Sequence, residues 1–294
     1  MKYLITGATG EVASRIVARL LQRDIRPRIL VRDQAKAASL FGDRVDIVTG
    51  DLAEPCDLQR AFEDIEAVYL VNVGPEIPHR DEMAAALAKQ KGVKRIIKLS
   101  SLDVEHGLAI GAWHEKGEAA IRAVGVPYIF VRPSGFMSNL LAWSNSIKLE
   151  GVVRSSAGIG RRPFIHPEDI AAVSVEALLC ENYLGACLPL TGPEALTFGQ
   201  ATAIIAAAIG KDLDFQTNPT KKHDSVIRES AVLHKRPKRM SPCGGPFEKI
   251  VWRQPLMRLN AFSDERPSHS GNGLLRMPHV SKKLMSRTPY DVVF

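Results

Sequence analysis

The segment Thr6-Gly7-Ala8-Thr9-Gly10-Glu11-Val12-Ala13 constrains this chain more than any other. It follows the β-rich run Tyr3-Leu4-Ile5 and leads straight into a helical stripe of Val12, Ile16, Val17, Leu20 and Leu21, with Arg15, Arg19 and Arg23 off that stripe. A strand that turns through glycines into a helix gathers main-chain N–H groups at a helix N-terminus, where the dipole is also positive. Gly7 makes the turn, Gly10 lets another molecule approach the backbone, and Ala13, small in place of a third glycine, keeps helix and strand close. The group such a cup accepts is a diphosphate, and Gly7, Thr9, Gly10, Glu11 and Val12 are assigned to hold it. A tight βα turn without a ligand is the plainer alternative.

Strand and helix patterns keep alternating through residues 1–220. Short β-rich runs recur at Arg28–Val31, 45–48, 67–71, Arg95–Leu99 and 128–131; helical segments fit 58–62, 81–90, 115–123, Pro167–Leu179 and Phe198–Ile209. Thr197 and Gln200 have capping-box spacing, and Pro167 suits the first turn of its helix. Such alternation builds a parallel sheet covered on both faces. The expected fold is therefore α/β, a Rossmann-type doubly wound parallel sheet with a small C-terminal substrate region. Residues 1–150 would form the dinucleotide-binding domain, 151–220 the remainder of the fold and the substrate pocket, and 221–294 an atypical basic tail.

Charge sharpens that division. The chain of 294 residues carries a net charge of +7, which by itself suggests a nucleic-acid partner. Yet 221–294 holds fifteen Lys+Arg against six Asp+Glu, leaving 24 against 26 in the rest, so no nucleic-acid partner is expected for the body. The tail has seven prolines and no sustained period. It reads as a basic, poorly ordered arm that binds an acidic partner, as a loop-rich substrate lid, or as the product of a shifted reading frame. The longest nearly apolar stretch, 203–209, is far short of the roughly 20 residues that cross a bilayer, and no secretory pattern opens the chain. No membrane association and a cytoplasmic location are expected. Cys56, Cys180, Cys187 and Cys243 lack paired spacing and read as free thiols, and the eight histidines show no metal motif.

Which dinucleotide binds is decided at the end of the second strand, where arginine neutralises the extra phosphate of NADP and an acidic residue bonds the ribose of NAD. The chain has Arg32 there, followed by Asp33, so NADPH is preferred and NADH is the alternative. Asp51 and Leu52 after the third strand, and Asn72 and Val73 after the fourth, lie at the carboxyl edge where ligands bind in such sheets. The first pair suits adenine, the second ribose and nicotinamide.

Taken together, TGATGEVA, LVRD, GDL, KLSS, WHEKGEAAIR, VPYIFVRPSGFMSN and FIHPEDIAAV make residues 1–215 resemble the NmrA-like, atypical branch of the extended short-chain dehydrogenase/reductases. The resemblance implies NAD(P)H and either a reductase of quinones, azo dyes or triphenylmethane dyes or an NADP-sensing regulator. It also sets Ser100 and Pro133 beside the cofactor and Ser134, Phe136 and Met137 beside the substrate. The tail has no such match.

Typical members of the wider family protonate an alkoxide with a Tyr and a Lys four apart, aided by a Ser. That pair is missing here. The corresponding helix offers His114 and Glu118, four apart and on one face, with Ser100 and Ser101 ending the fifth strand. These are the catalytic candidates. His114 either orients substrate or donates a proton, or it is a structural histidine bonded to Glu118 or backbone. Lys116 is off the required face. Without a strong acid, simple ketones are poor acceptors, whereas a quinone yields a phenolate with a pKa of about 10 and a cationic dye is simply neutralised. Phe136, Met137 and Trp143 would wall an apolar slot, ordinary core packing being the alternative for the last two. The expected function is hydride transfer from NADPH to a small aromatic or quinonoid electrophile; the rival is an NADP(H)-sensing regulatory protein without catalysis.

Overall fold

The computed structural model describes residues 2–217. The readings made for 221–294, Cys243 included, lie outside the described residues. In chain order the elements are β1 (Tyr3–Thr6), α1 (Glu11–Leu21), β2 (Arg28–Val31), α2 (Gln34–Phe41), β3 (Asp46–Thr49), α3 (Pro55–Ala61), β4 (Ala67–Leu70), α4 (Ile77–Gln90), β5 (Arg95–Leu99), α5 (Ala109–Val124) and β6 (Tyr128–Pro133). There follow α6 (Ser144–Glu150), β7 (Val152–Ser155), β8 (Arg161–Arg162), α7 (Pro167–Leu179), β9 (Cys187–Leu190), β10 (Leu196–Thr197), α8 (Phe198–Ile209) and β11 (Asp214–Thr217). Seven strands make one parallel sheet in the order β3-β2-β1-β4-β5-β6-β9. β7 pairs parallel with β11, and β8 antiparallel with β10.

Strands buried on both faces need apolar residues on both, and β1 shows the division. Tyr3 and Ile5 join Ile16, Leu20, Ile97 and Val175 in the core beneath α1 and α7, while Leu4 joins Leu58, Leu87 and Ile121 beneath α3, α4 and α5. The Arg15, Arg19 and Arg23 side chains, off the apolar stripe, reach Glu168 and Glu176 of α7. These pairs are partly exposed and set the register of two helices more than they stabilise it.

The doubly wound sheet is as the sequence led one to expect, and the Thr197–Gln200 capping box is present. Differences fall at helix starts and in short elements not expected from the sequence, α2, α6, β7, β8, β10 and β11. α2 was not expected, because its eight residues, Gln-Ala-Lys-Ala-Ala-Ser-Leu-Phe, bury only Ala37 and Phe41 and show little periodicity. α5 begins at Ala109, earlier than 115, since its first turn, Ala109-Ile110-Gly111-Ala112, includes a glycine and an exposed isoleucine and gives no amphipathic signal. Cys56, Cys180 and Cys187 are free. No helix among the described residues is long and apolar enough to cross a membrane.

Candidate active site

β1 lies between β2 and β4, so the chain winds outward from it in both directions and a crevice opens at the carboxyl ends of these strands. Thr6 joins the two sides. Its buried hydroxyl donates to the Tyr69 carbonyl at 3.1 Å and accepts from the Val71 N–H at 2.8 Å. Gly7 then adopts a left-handed φ of +62°, and the Gly10 N–H closes on the Gly7 carbonyl at 2.8 Å. A Cβ on Gly10 would sit 3.0 Å from that oxygen. Gly10 is also the N-cap of α1 and no side chain caps the helix. The first-turn N–H groups of Glu11, Val12 and Ala13 are therefore left for a ligand, and the cup fits a dinucleotide diphosphate. Val12 is buried, so its part can only be played by its backbone. The exposed Glu11 carboxylate accepts from the Ser138 hydroxyl at 2.7 Å, reaching the segment after β6.

At the end of β2, Arg32 is exposed and makes no hydrogen bond or ion pair with another described residue. Asp33 is occupied differently: its Oδ1 accepts the Lys36 N–H at 2.9 Å and caps α2. The Asp51 carboxylate accepts the Ala53 N–H, and the Asp51 N–H donates to Asp57, each at 2.9 Å. Gly50 allows that turn, since a Cβ there would lie 2.6 Å from the Asp57 side chain. Leu52 beside it is half-buried.

Behind the crevice, under α4 and α5, lie two buried polar clusters. In the first, Asn72 Nδ2 donates to Asp81 Oδ1 at 2.7 Å, and Asp81 Oδ2 stands 2.5 Å from Lys98 Nζ. Gly117 makes room for them, because a Cβ in that part of α5 would collide with Asp81 Oδ2. His114, nearly a turn earlier, is 8% exposed, and its buried Nδ1 has no hydrogen-bond partner among the described residues. Burial, seconded by the charge of Lys98 and opposed by Glu118, pushes its pKa down to about 4.

The second cluster centres on Glu118. One oxygen accepts from Ser100 Oγ at 2.6 Å and Arg132 Nε at 2.9 Å; the other accepts from Arg132 Nη2 at 2.5 Å and Arg122 Nη2 at 3.1 Å. Burial alone would pull the Arg132 guanidinium down, but its bonds to Glu118 outweigh burial and hold it above its ordinary value. The hydrogen bond considered between His114 and Glu118 is not formed, because the two-pronged guanidinium and the Ser100 hydroxyl claim the carboxylate. Ser101 caps the turn that follows β5. Lys116 is exposed.

After β6 the chain is pinned from the side. Pro133 is buried, the Ser134 N–H donates to Leu190, and the Ser134 hydroxyl donates to the Pro163 carbonyl. Phe136 packs against the core and Met137 is half-buried. Trp143 lies 5.8 Å from the Phe198 ring, packing against the start of α8. Val73 is 74% exposed at the end of β4, an apolar side chain on the open edge. Asp81, Lys98 and the pairing of Arg132 with Glu118 were not anticipated from the sequence. A lysine within an otherwise apolar central strand and a glycine in mid-helix were the available signals.

A glycine cup at the switch point of a doubly wound sheet, backed by polar clusters along the carboxyl edge, defines the class of NAD(P)-binding oxidoreductases. A family model described as NAD(P)H-binding matches residues 7–181. The chain is 38% identical over 217 residues, 72% of its length and 76% of the relative's, to the (4-alkanoyl-5-oxo-2,5-dihydrofuran-3-yl)methyl phosphate reductase of Streptomyces griseus subsp. griseus. It is 33% identical over 217 residues, 72% of its length and 75% of the relative's, to the NAD(P)H azoreductase of Xenophilus azovorans. Among solved structures, that of an NADPH-dependent quinone oxidoreductase from Escherichia coli complexed with NADPH superposes with a TM-score of 0.69 at 23% identity, covering 78% of this chain and 82% of that one. The chain belongs to this NAD(P)H-binding family, in its NmrA-like, atypical short-chain dehydrogenase/reductase branch. It is an NAD(P)H-dependent oxidoreductase.

Proposed function

We propose that the protein reduces planar conjugated electrophiles, such as a quinone, an azo or triphenylmethane dye, or an unsaturated lactone, and that it prefers NADPH. The observation that carries this reading is that none of the three candidates at the β5–α5 edge, Ser100, His114 and Glu118, is left as a strong proton donor. Ser100 and Glu118 are bound to each other and to Arg132, and His114 is neutral near pH 7. Such an edge suits acceptors whose reduced form is stable without a strong proton donor. The relatives named for azo, quinone and oxo-dihydrofuran substrates support the same class.

When bound, the dinucleotide supplies the hydride. The chain's own residues bind and orient. The backbone from Gly7 to Val12 takes the diphosphate, Arg32 the phosphate on the adenosine ribose, and Asp51 and Leu52 the adenine side. Asn72, Val73, Ser100 and Pro133 border the nicotinamide end, with Ser134, Phe136 and Met137 on the acceptor side. His114 serves as a neutral hydrogen-bond donor to oxygen or nitrogen that gains electron density, and water completes the protonation.

The test follows loss of absorbance at the reduced-nicotinamide band with NADPH and NADH against a naphthoquinone, an azo dye and a triphenylmethane dye. Turnover with at least one acceptor, faster with NADPH at limiting coenzyme, is expected. Tight NADPH binding with no consumption by any acceptor overturns the reading in favour of a sensor.

A further inference from the structure

The acceptor side carries a cation that the reading above leaves unused. Arg162 in β8 is half-buried, and its side chain runs across Gly135, the residue between Ser134 and Phe136. A Cβ at Gly135 would collide with Arg162 Cδ and lie 2.9 Å from its Nη1. The backbone at Gly135 is not left-handed, so what the glycine supplies is room for the flexible arginine side chain and not a turn.

The two segments are also joined through their main chains. The Ile165 N–H donates to the Gly135 carbonyl at 3.0 Å and the Met137 N–H donates to the Ile165 carbonyl at 2.9 Å. Arg162 itself pairs with Leu196 in the β8–β10 ladder. The base of this side chain is therefore held against the acceptor-side segment.

Its charge is not answered. The Arg162 side chain makes no hydrogen bond or ion pair with another described residue. Its neighbour in β8 and the cations of the buried clusters are committed: Arg161 donates to the Ala195 carbonyl and Gln200, Arg132 to Glu118 and Glu105, and Lys98 stands against Asp81. A half-buried guanidinium without an anion has lost hydration and gained nothing for it, and its planar fork matches the oxygens of a phosphate, sulfonate or carboxylate.

We infer that Arg162 binds an oxyanion group carried by the acceptor, so that the enzyme selects anionic conjugated electrophiles over uncharged or cationic ones. The inference rests on the reductase reading and narrows it. Arg162 takes no part in the transfer of electrons; it fixes one end of the acceptor while the conjugated ring lies toward Phe136 and Met137.

The experiment compares the full-length protein with Arg162→Gln and Arg162→Lys, using NADPH with 1,4-naphthoquinone-2-sulfonate and with uncharged 2-methyl-1,4-naphthoquinone. For the sulfonate, Arg162→Gln should raise KM about ten- to a hundredfold at little cost in kcat, and Arg162→Lys should restore part of the loss. KM for the uncharged quinone and the Kd for NADPH should stay within about twofold, less than the loss of one hydrogen bond. Equal losses for both quinones, or a change confined to NADPH affinity, overturn the inference. Absence of turnover with either quinone counts against the reductase reading alone. Calorimetric titration of the naphthoquinone sulfonate into the NADP⁺-loaded proteins then decides: weaker binding by Arg162→Gln supports the inference, and no binding or unchanged binding overturns it.

Discussion

Lys98 Nζ stands 2.5 Å from the Asp81 carboxylate with neither side chain exposed to solvent, and the other oxygen of that carboxylate holds the Asn72 amide at the end of β4. The pair thus spans β5 and α4 and fixes a residue on the crevice. Two charges taken out of water pay a desolvation cost that their attraction need not exceed, so the pair positions more than it stabilises.

Removing one partner differs sharply from removing both. Lys98→Met leaves the Asp81 carboxylate buried and uncompensated and should lower unfolding free energy by about 3–5 kcal/mol; Asp81→Asn should do the same to Lys98. The double variant should lose clearly less than the sum. Urea unfolding of the four proteins measures the coupling, and additive losses would show that the two side chains act independently.

His114 makes stability depend on pH in a defined direction. Its folded pKa is about 4, set by burial and then by Lys98, against the opposing charge of Glu118; unfolded, it titrates near 6.5. As pH falls through that window the unfolded chain takes up a proton that the folded chain refuses. Stability is unaffected by this residue above about pH 6.5 and falls below it by up to about 3 kcal/mol as pH approaches 4. Lys98 on β5 and Glu118 on α5, the charges that act on the group, and their partners Asp81 on α4 and Arg132 on β6 all remain in the reference variant His114→Gln. The difference between wild-type and variant unfolding free energies should therefore slope between pH 4 and 6.5; parallel curves would mean that the imidazole titrates normally.

The two glycines of the cup should fail in different ways. Gly7 holds a φ of +62°, so Gly7→Val forces a β-branched side chain into left-handed backbone and should cost at least about 1–2 kcal/mol of stability. Gly10 has a φ of −85°, which any residue adopts. Gly10→Val meets the Gly7 carbonyl at 3.0 Å, so the turn must give by a few tenths of an ångström, a smaller strain than left-handed backbone imposes; its main effect should be to fill the space over the helix N-terminus and weaken NADPH binding by about tenfold or more, the value of one charge-assisted hydrogen bond. Thermal unfolding and fluorescence titration with NADPH separate the two effects.

The fold was legible because each βα unit advertises itself locally: Tyr3-Leu4-Ile5, the glycine turn and the Val12–Leu20 stripe form one unbroken signal. The buried polar clusters were not. Asp81 and Lys98 lie on different elements, as do Glu118 and Arg132, and only the α4–α5 packing over β5 and β6 brings each pair together. Lys98 reads as a solvated lysine until its strand is known to be central, and Gly117 reads as a weak helix residue until Asp81 is seen to occupy its missing side chain. His114 and Glu118 share a helix face as their spacing requires, yet the helix position says nothing of the Arg132 guanidinium that claims Glu118.

Arg32 and Asp33 were also inseparable in sequence, since both stand where coenzyme selectivity is set. The structure separates them: Asp33 caps α2 through the Lys36 N–H, whereas Arg32 is exposed and unengaged among the described residues. Arg32→Gln should therefore reduce the NADPH preference, weakening NADPH by about ten- to a hundredfold, the value of a hydrogen bond to a charged group, with little change for NADH. Asp33→Ala should cost about 1 kcal/mol of stability through the lost cap and leave the ratio of NADPH to NADH affinity within about twofold. Kd values for both coenzymes, with urea unfolding of each variant, are the measurements. A shift in coenzyme ratio from Asp33→Ala as large as that from Arg32→Gln would show that the carboxylate leaves its cap to meet the ribose, and the assignment of selectivity to Arg32 would then fall.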